Sequence, residues 1–277
     1  MDFYIWLGVL LFLVVVSFIL DREVYFYEGA RLGPRVQAWL YDRWSKKYDE
    51  GKQESQLRDS EMLARPLLDL IKDIPDPLIL DFATGTGRLS YALLSQPDFK
   101  GHIVAVDLSQ GMLEKAASKL SPCLPRFELL QHQTLPLPFS DATFDVVCCL
   151  EVLELFPNMD DPLAELTRVL RPGGIMLTSR GTEESGRRAK VKSKPVFATL
   201  LEKYGMTRVE ITTWWKLFDR VLTQKNGISN PAGEKKLSEV LMCGMCKQAQ
   251  WRREAGALIC LHCGNTLSIT KEGIVLN

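Results

Sequence analysis

The chain has 277 residues, of which 46% are hydrophobic and 25% are charged. This composition can bury a full core, and it excludes an intrinsically disordered chain and a collagen-like fibre. Because 34 basic residues balance 34 acidic ones, no bulk charge attracts the chain to nucleic acid, although a local basic patch is not excluded. Seven cysteines, four of them within the last 35 residues, are too few and too uneven for a secreted disulfide scaffold.

An uncharged segment near the beginning of the chain predicts a membrane-spanning helix. No charged residue occurs from Phe3 to Leu20, and at a rise of about 1.5 Å per residue these positions form a helix about 27 Å long. A cleaved signal peptide is disfavoured because a basic leader and a small-residue cleavage site are missing. A buried core helix is disfavoured because a helix that is apolar on every side has no face for solvent.

The predicted anchor also indicates an orientation. We expect residues 1–22 to form the anchor and residues 3–20 to contact the lipid bilayer. Arg22, Arg31 and Arg35 follow this segment, and basic residues remain on the cytoplasmic side of a membrane. The sequence therefore predicts a single-pass membrane protein whose longer part lies in the cytoplasm.

The pattern after the anchor predicts an α/β domain over residues 61–225, preceded by a juxtamembrane helical segment over residues 23–60. Apolar residues at helical spacing predict a helix over residues 35–74, which ends before Pro75 and Pro77. Short apolar runs then alternate with helical stretches, which indicates a Rossmann-like, mostly parallel sheet with helices on both faces. Seven strands are predicted, the last two as a closing pair: 78–80, 102–106, 127–130, 144–149, 174–178, 208–215 and 218–224.

The loop after the first predicted strand indicates a nucleoside-containing cofactor. Ala83, Gly85 and Gly87 permit a tight turn close to a ligand, and the free N–H groups of the next helix point to the same place. Asp107 follows Gly87 by twenty residues, at the end of the second strand. A carboxylate at that position accepts hydrogen bonds from both hydroxyl groups of a ribose.

Two residues argue against a dinucleotide in this loop. Ser90 occupies the position of the third glycine of the GxGxxG pattern. Asp81 precedes the loop and would repel a pyrophosphate, whereas it suits a ligand with an amino group. The alternative, a glycine-rich turn that serves packing alone, is disfavoured by the presence of Asp107.

Four ordered motifs resemble those of the class I S-adenosylmethionine-dependent methyltransferases. The first motif takes the Ala-Thr-Gly-Thr-Gly form that is similar to the ubiquinone/menaquinone-biosynthesis C-methyltransferases. The resemblance spans residues 40 to 225 and implies a Rossmann-like fold and methyl transfer. It rests on segments 80–87, 106–113, 137–145 and 169–174.

The resemblance also implies roles for individual residues. Asp81 and the loop 83–87 would hold the methionine part of S-adenosylmethionine, and Asp107 would hold the ribose. The residues expected to bind this cofactor are Tyr48, Asp81, Ala83, Thr84, Gly85, Thr86, Gly87, Asp107, Leu108, Met112, Gln133 and Leu150.

The adenine would be held by three of these residues. Leu108 and Met112 would flank the ring. Many relatives place an aspartate near the adenine amino group, and this chain has Gln133 at that position. The side-chain oxygen of a glutamine also accepts a hydrogen bond from an amino group.

The implied reaction is transfer of a methyl group to a small or lipid-like acceptor by a membrane-anchored enzyme with its catalytic domain on the cytoplasmic side. The protein would mainly align the reactants and exclude water. An acceptor carbon or oxygen also needs a base, for which Glu151 is the first candidate and Glu154 the second; a structural role is the alternative for both. Neither the acceptor nor the oligomeric state follows from the sequence.

The end of the chain predicts a metal module over residues 237–277, joined by a linker over residues 226–236. Two CxxC pairs separated by thirteen residues, Cys243 with Cys246 and Cys260 with Cys263, are typical of a zinc ribbon with four thiolate ligands. Iron in a rubredoxin-like site is an alternative, and two disulfides are disfavoured in a reducing cytosol.

Two other functions stay open at this point. The first is a methyltransferase of RNA or protein that uses the ribbon to bind its target. A nucleic-acid partner is not favoured, because the ribbon has no long basic stripe. The second is a non-catalytic scaffold that binds the cofactor.

Overall fold

The computed structural model describes residues 2–185 and 191–277. The first helix, α1, spans Asp2–Leu20, and a short π-helical segment, Asp21–Phe26, continues it. The stretch Phe3–Val24 has 22 residues and a mean hydropathy of 2.8, and none of it is buried in the protein. Among the described residues it is the one helix long and apolar enough to cross a membrane, a finding of length and composition that a signal sequence also satisfies.

The segment between α1 and the sheet is a broken series of helices rather than the single helix predicted over residues 35–74. The helix is interrupted by a turn at residues 45–49. This turn brings the carboxylate of Asp49 within 2.6 Å of the hydroxyl group of Thr86, which donates a hydrogen bond to it. The helices of this segment are α2 (Pro34–Trp44), α3 (Gln53–Gln56) and α4 (Arg65–Ile71), with short turns of other helix types at Ala30–Leu32, Glu50–Lys52 and Ser60–Ala64.

The central sheet confirms the predicted α/β architecture. Its first five strands run parallel to one another, and the closing pair is antiparallel both within itself and to the fifth strand. The strands are β1 (Leu78–Phe82), β2 (His102–Asp107), β3 (Phe127–Gln131), β4 (Phe144–Cys149), β5 (Leu170–Gly181), β6 (Met206–Trp215) and β7 (Phe218–Lys225). The helices between them are α5 (Arg88–Leu94), α6 (Gln110–Leu120), α7 (Asp160–Val169) and α8 (Lys194–Lys203).

The prediction of seven strands was wrong, because the sheet has eight. Its order is β11-β3-β2-β1-β4-β5-β7-β6. The additional strand, β11 (Ile274–Leu276), comes from the predicted metal module and pairs in parallel with β3. Three apolar residues after two CxxC pairs are too short a run to predict a separate strand, so they were assigned to the ribbon.

Alternate residues along the buried strands enter two cores, one on each face of the sheet. Leu78 and Leu80 pack into one core with Leu163 from α7. Ile79 packs into the other core, together with Leu93 from α5. This alternation places helices on both faces, as predicted from the apolar runs.

The end of the chain forms a second, three-stranded sheet of order β10-β9-β8. Its strands are β8 (Trp251–Glu254), β9 (Ala257–Cys260) and β10 (Thr266–Ser268), preceded by the short helix α9 (Leu237–Val240). The predicted linker before it contacts the large domain: the amide of Ala232 donates to the carboxylate of Asp145 over 3.0 Å. Cys243 and Cys260 lie in the same core as Leu163.

Candidate functional site

The loop between β1 and α5 adopts the conformation that its small residues permit. Ala83, Gly85 and Gly87 have φ angles of 55°, 57° and 75°, a region in which glycine is unstrained and other residues are rare. A Cβ atom on Gly85 would meet no atom within 4 Å, so this glycine faces open space. A Cβ atom on Gly87 would lie 3.1 Å from Ala116, so Gly87 permits close packing of the loop on α6.

The carboxylate of Asp107 holds this loop in place. The amide of Gly85 donates to one of its oxygens over 2.8 Å, and the amide of Ser109 donates to the other over 2.9 Å. Burial raises the pKa of Asp107 to about 6, although these two amides act in the opposite direction. The glycine loop and the acid predicted to hold a ribose thus form one structural unit.

Asp81, at the end of β1, is buried beneath the same loop. One of its oxygens accepts hydrogen bonds from the hydroxyl groups of Thr84 and Ser90, over 2.7 and 2.6 Å. Burial raises the pKa of Asp81, and these hydroxyl groups partly offset the increase. The side chain is therefore fixed at one edge of a cavity that it lines.

Two aspartates of the segment between α1 and the sheet contact the site loops. The side chain of Asp42, in α2, accepts hydrogen bonds from the Ser109 hydroxyl over 2.6 Å and from the Gly111 amide over 2.8 Å. The side chain of Asp49 accepts a hydrogen bond from the hydroxyl of Thr86. Both aspartates therefore connect this segment to the two loops that the motifs predicted.

Two cavities meet at Ala83. The smaller cavity, about 60 Å³ in volume, is lined by Tyr48, Lys52, Asp81, Ala83, Thr84, Gly85, Thr86, Arg88, Leu89, Leu150 and Glu151. The larger cavity, about 440 Å³ in volume, is mostly apolar and lies over the ends of β1 and β2. It is lined by Ala30, Pro34, Gln37, Phe82, Ala83, Val106, Asp107, Leu108, His132, Gln133, Thr134, Leu135, Val152, Leu155, Phe156, Pro157 and Asp161.

Ten of the twelve residues expected to bind the cofactor line one of these cavities. Gln133 lines the larger cavity, and its side-chain amide lies 3.4 Å from the carbonyl oxygen of Leu108. Gly87 and Met112 line neither cavity. Gly87 precedes the first residue of α5, and the Met112 side chain is fully buried in the core.

The carboxylate of Glu151 is paired with two cations. The Lys52 ammonium lies 2.5 Å from one of its oxygens, and the Arg88 guanidinium lies 2.8 Å from the other. Arg88 also binds the carboxylate of Asp59. Glu151 has a φ of 60° and its own amide donates to the Ser179 hydroxyl over 2.7 Å, so the residue is fixed by side chain and backbone together.

Glu154, the second candidate for a base, lines neither cavity. Its side chain is 2% exposed and accepts the amide of Gly181 over 2.6 Å. Burial raises its pKa, which hydrogen bonds from backbone amides partly offset.

The sequence did not indicate Arg88 and Lys52 as site residues. Arg88 directly follows the last glycine of the loop, a position that points into the site, and this adjacency was the available signal. Lys52 lies in a polar, helical stretch and had no signal of its own.

The four cysteines of the two CxxC pairs lie together, with all four sulfur atoms within 4.8 Å of one another. The sulfur atoms of Cys243 and Cys263 are 3.6 Å apart, as are those of Cys246 and Cys260. A tetrahedron with metal–sulfur bonds of about 2.3 Å has edges of about 3.8 Å, so the arrangement fits a tetrahedral metal site. The cysteines are free rather than disulfide-bonded.

Residues 79–174 match the family model of a methyltransferase domain. Demethylmenaquinone methyltransferase from Lactobacillus johnsonii is 35% identical over 130 residues, which cover 44% of this chain and 53% of the relative. The corresponding protein from Symbiobacterium thermophilum is 32% identical over 150 residues, which cover 53% of this chain and 60% of the relative. The chain therefore spans somewhat more than half the length of these two relatives.

A solved structure of a SAM-dependent methyltransferase from Aquifex aeolicus has the same fold, with a TM-score of 0.54 and 22% identity over 66% of this chain and 97% of that one. The DszA carbon methyltransferase gives a TM-score of 0.51 and 19% identity over 62% of this chain and 54% of that one. At these identities, the likeness extends to the fold alone.

Proposed function

We propose that the protein is a membrane-anchored, class I S-adenosylmethionine-dependent methyltransferase of a small, lipid-soluble acceptor of the quinone class. The match of residues 79–174 to a methyltransferase domain supports the reaction type. The observation that carries the proposal is the hydrogen bond between Gly85 and Asp107 at the edge of the larger cavity. The relatives named demethylmenaquinone methyltransferases support a quinone-like acceptor.

The residues of the site fit the methyl donor, S-adenosylmethionine. Gly85 leaves open space beside the loop where a Cβ atom would project, and Asp107 offers a carboxylate for the ribose. Asp81 offers a second carboxylate that suits the amino group of the methionine part. When bound, the donor supplies a methyl group on a positively charged sulfur, which needs no further activation.

The chain itself would align the acceptor and exclude water. Glu151, with both oxygens engaged by Lys52 and Arg88, is better suited to position these cations than to remove a proton. We therefore propose Glu151 as a positioning residue. A base for an acceptor carbon or oxygen would be the acceptor's own ionised hydroxyl group or a group not yet identified.

The walls of the larger cavity support a lipid-soluble acceptor. Phe82 and Phe156 stack with ring centroids 6.5 Å apart at one side. Ala30, Pro34 and Gln37, which follow the predicted anchor closely in the chain, line the other side. An acceptor dissolved in a bilayer would therefore meet the cavity where it lies closest to the anchor.

One face of α2 and of the turn before it supports contact with the bilayer. Leu32, in the turn before α2, and Val36 and Trp39, in α2, are 47%, 38% and 59% exposed. The spacing of Val36 and Trp39 places them on one side of the helix. The basic residues Arg35 and Arg43 are exposed on the same side. Tryptophan and arginine suit the interface between lipid headgroups and acyl chains, and we propose that this face lies there, on the cytoplasmic side.

We also propose that the four cysteines bind Zn²⁺. The sulfur–sulfur distances support a tetrahedral thiolate site. Metal analysis of the purified chain distinguishes zinc from iron. One equivalent of zinc is expected, and one equivalent of iron would show that the four cysteines bind iron instead.

The proposed function is tested with the full chain in lipid vesicles that contain a demethylated quinone. After incubation with methyl-labelled S-adenosylmethionine, the label is expected in the lipid extract. Label in added RNA or in a protein fraction would instead favour a macromolecular acceptor. Donor binding without label in any fraction would favour a non-catalytic scaffold, and no donor binding would overturn the proposal.

A further inference from the structure

The metal module contributes a strand to the sheet that carries the donor site. Strand β11 lies parallel to β3, with Ile274 opposite Leu129 and Leu276 opposite Gln131. The side chains of Ile274 and Val275 are fully buried. The module therefore shares its core with the large domain and does not merely follow it in the chain.

The end of β11 reaches the wall of the larger cavity. The amide of Asn277 donates to the carbonyl oxygen of Gln131 over 3.1 Å, and the Asn277 side chain lies 3.0 Å from the ring of His132. His132 and Gln133 line the cavity. The strip 131–133 also contacts the ribose end of the site, because the His132 amide donates to the carbonyl oxygen of Asp107 over 3.0 Å.

The beginning of the module contacts the same part of the domain. The amide of Leu237 donates to the side chain of Glu128, in β3, over 2.6 Å. Leu241 forms a β-bridge with Phe139, and the amide of Met242 donates to the carbonyl oxygen of Pro138 over 2.8 Å. These contacts hold β3 and the segment after it from one side, while β11 pairs with the β3 edge.

The cysteine cluster lies between these two sets of contacts. Cys243 follows Met242 directly, and the strands β8 to β10, which carry or adjoin the remaining cysteines, have only three or four residues each. Val275 of β11 is bridged to Ile269, just after β10. So small a module has little core of its own, and metal binding supplies much of the folding free energy of such modules.

We propose that the metal-loaded module is a structural part of the donor-binding site: it holds the strip 131–133 in place, so that loss of the metal weakens binding of S-adenosylmethionine. The inference rests on the proposed function, because it assumes that the larger cavity takes the donor. Since coupling between the affinities of two sites is reciprocal, the bound donor also raises the affinity of the module for the metal.

The first experiment uses the full chain in detergent, loaded with Zn²⁺ or stripped by a chelator. Calorimetry of S-adenosylmethionine binding is expected to give a Kd about tenfold higher for the stripped chain. At equilibrium with a colorimetric chelator, the Kd of the chain for Zn²⁺ is expected to fall by the same factor when the donor is present. Equal Kd values for the donor together with an unchanged Kd for Zn²⁺ would overturn the inference.

A variant in β11 tests the effect of the strand independently of the effect of the metal. Val275→Ser places a hydroxyl group in the core beside β3 while leaving all four cysteines intact, and we expect it to retain one equivalent of Zn²⁺ and to bind the donor about tenfold more weakly. Lys271→Ser, whose side chain is 91% exposed in the same part of the chain, is the control and is expected to bind normally.

The outcomes distinguish this inference from the proposed function. If the Zn²⁺-loaded chain does not bind S-adenosylmethionine at all, the proposed function fails and the inference fails with it. If the loaded and stripped chains bind the donor equally, and Val275→Ser binds like Lys271→Ser, the proposed function stands and the inference alone is overturned. Circular dichroism of each sample identifies a variant that has simply unfolded.

Discussion

The amide of Gly85 donates a hydrogen bond of 2.8 Å to the carboxylate of Asp107. The two residues are 22 positions apart in the chain and lie in loops at the ends of adjacent parallel strands, β1 and β2. Because the bond uses one oxygen of Asp107 and the Ser109 amide uses the other, the carboxylate is oriented before any ligand arrives.

Gly85→Ala is expected to weaken donor binding about tenfold or more, because the added methyl group enters the open space beside the loop and the φ of 57° costs alanine about 1 kcal/mol. Gly205→Ala is the matched control: it also has a positive φ and open space around its Cβ position, but lies away from both cavities. Calorimetric titration with S-adenosylmethionine separates strain from ligand contact. Equal losses of donor affinity in both variants would contradict the proposal that the loop around Gly85 contacts the donor.

Donor binding is expected to weaken as the pH falls through about 6, because burial raises the pKa of Asp107 to about 6 and the charged form is the better acceptor for ribose hydroxyl groups. The slope approaches about tenfold per pH unit below the pKa. Measuring Kd across this range tests the expectation. Asp107→Asn should bind weakly at neutral pH and lose most of the pH dependence.

The effect of the same group on stability has the opposite sign. A carboxyl group whose pKa is raised by folding binds more protons in the folded state than in the unfolded state between its ordinary pKa and about 6. Its contribution to the free energy of unfolding therefore increases as the pH falls through that window. Thermal unfolding measured alongside binding shows whether weaker binding at low pH arises from Asp107 or from loss of the fold.

Glu151→Gln is expected to lower the free energy of unfolding by about 1–3 kcal/mol, because it removes the carboxylate partner of Lys52 and leaves Arg88 paired with Asp59 alone. As a positioning residue, Glu151 should change kcat only a few-fold and leave the pH dependence of kcat unaltered. Denaturant unfolding and a pH–rate profile measure both quantities, with Glu54→Gln, an exposed glutamate in the same segment, as the control. A loss of kcat above about a hundredfold with normal stability would identify a catalytic base instead.

Trp39→Phe tests the face of α2 proposed to contact the bilayer. In vesicles made with brominated lipids, tryptophan emission of the wild type should be quenched more strongly than that of the variant, because Trp39 would lie among the acyl chains. Trp251→Phe removes a tryptophan that is 7% exposed, in β8, and should remove none of the quenching. If Trp39→Phe also leaves the quenching unchanged, this face does not contact lipid.

Much of the fold and of the candidate site could be predicted because the strands are apolar runs and the site residues directly follow them in the chain. The run 78–80 is uniformly apolar, and the run 144–149 is apolar except for Asp145, since both faces of those strands are buried. The glycine loop and Asp107 were predictable because they follow such runs directly. The same logic failed for β11, whose three residues are indistinguishable from the ribbon before them.

The residues around Glu151 could not be predicted, because their partners come from distant parts of the chain. Lys52 and Glu151 are 99 positions apart, and Arg88 and Asp59 are 29 apart. No periodic pattern in the sequence predicts such pairs. The broken helix over residues 45–64 brings Lys52 and Asp59 to their partners, and its shape depends on these contacts rather than on local helix propensity. The contact between Met112 and the cofactor stays a prediction: the side chain is fully buried and lines neither cavity.

The hydrogen bonds of Asp42 to Ser109 and Gly111 limit the distance between the candidate site and helix α1. Asp42 follows the helical segment Asp21–Phe26 by sixteen residues, much of which is itself helical. With the proposed anchor in a bilayer, the site stays close to the membrane surface and meets its acceptor among the molecules that diffuse laterally in the lipid. Turnover then follows the mole fraction of acceptor in the lipid rather than its amount per volume of buffer, so dilution with acceptor-free lipid slows the reaction at constant total acceptor.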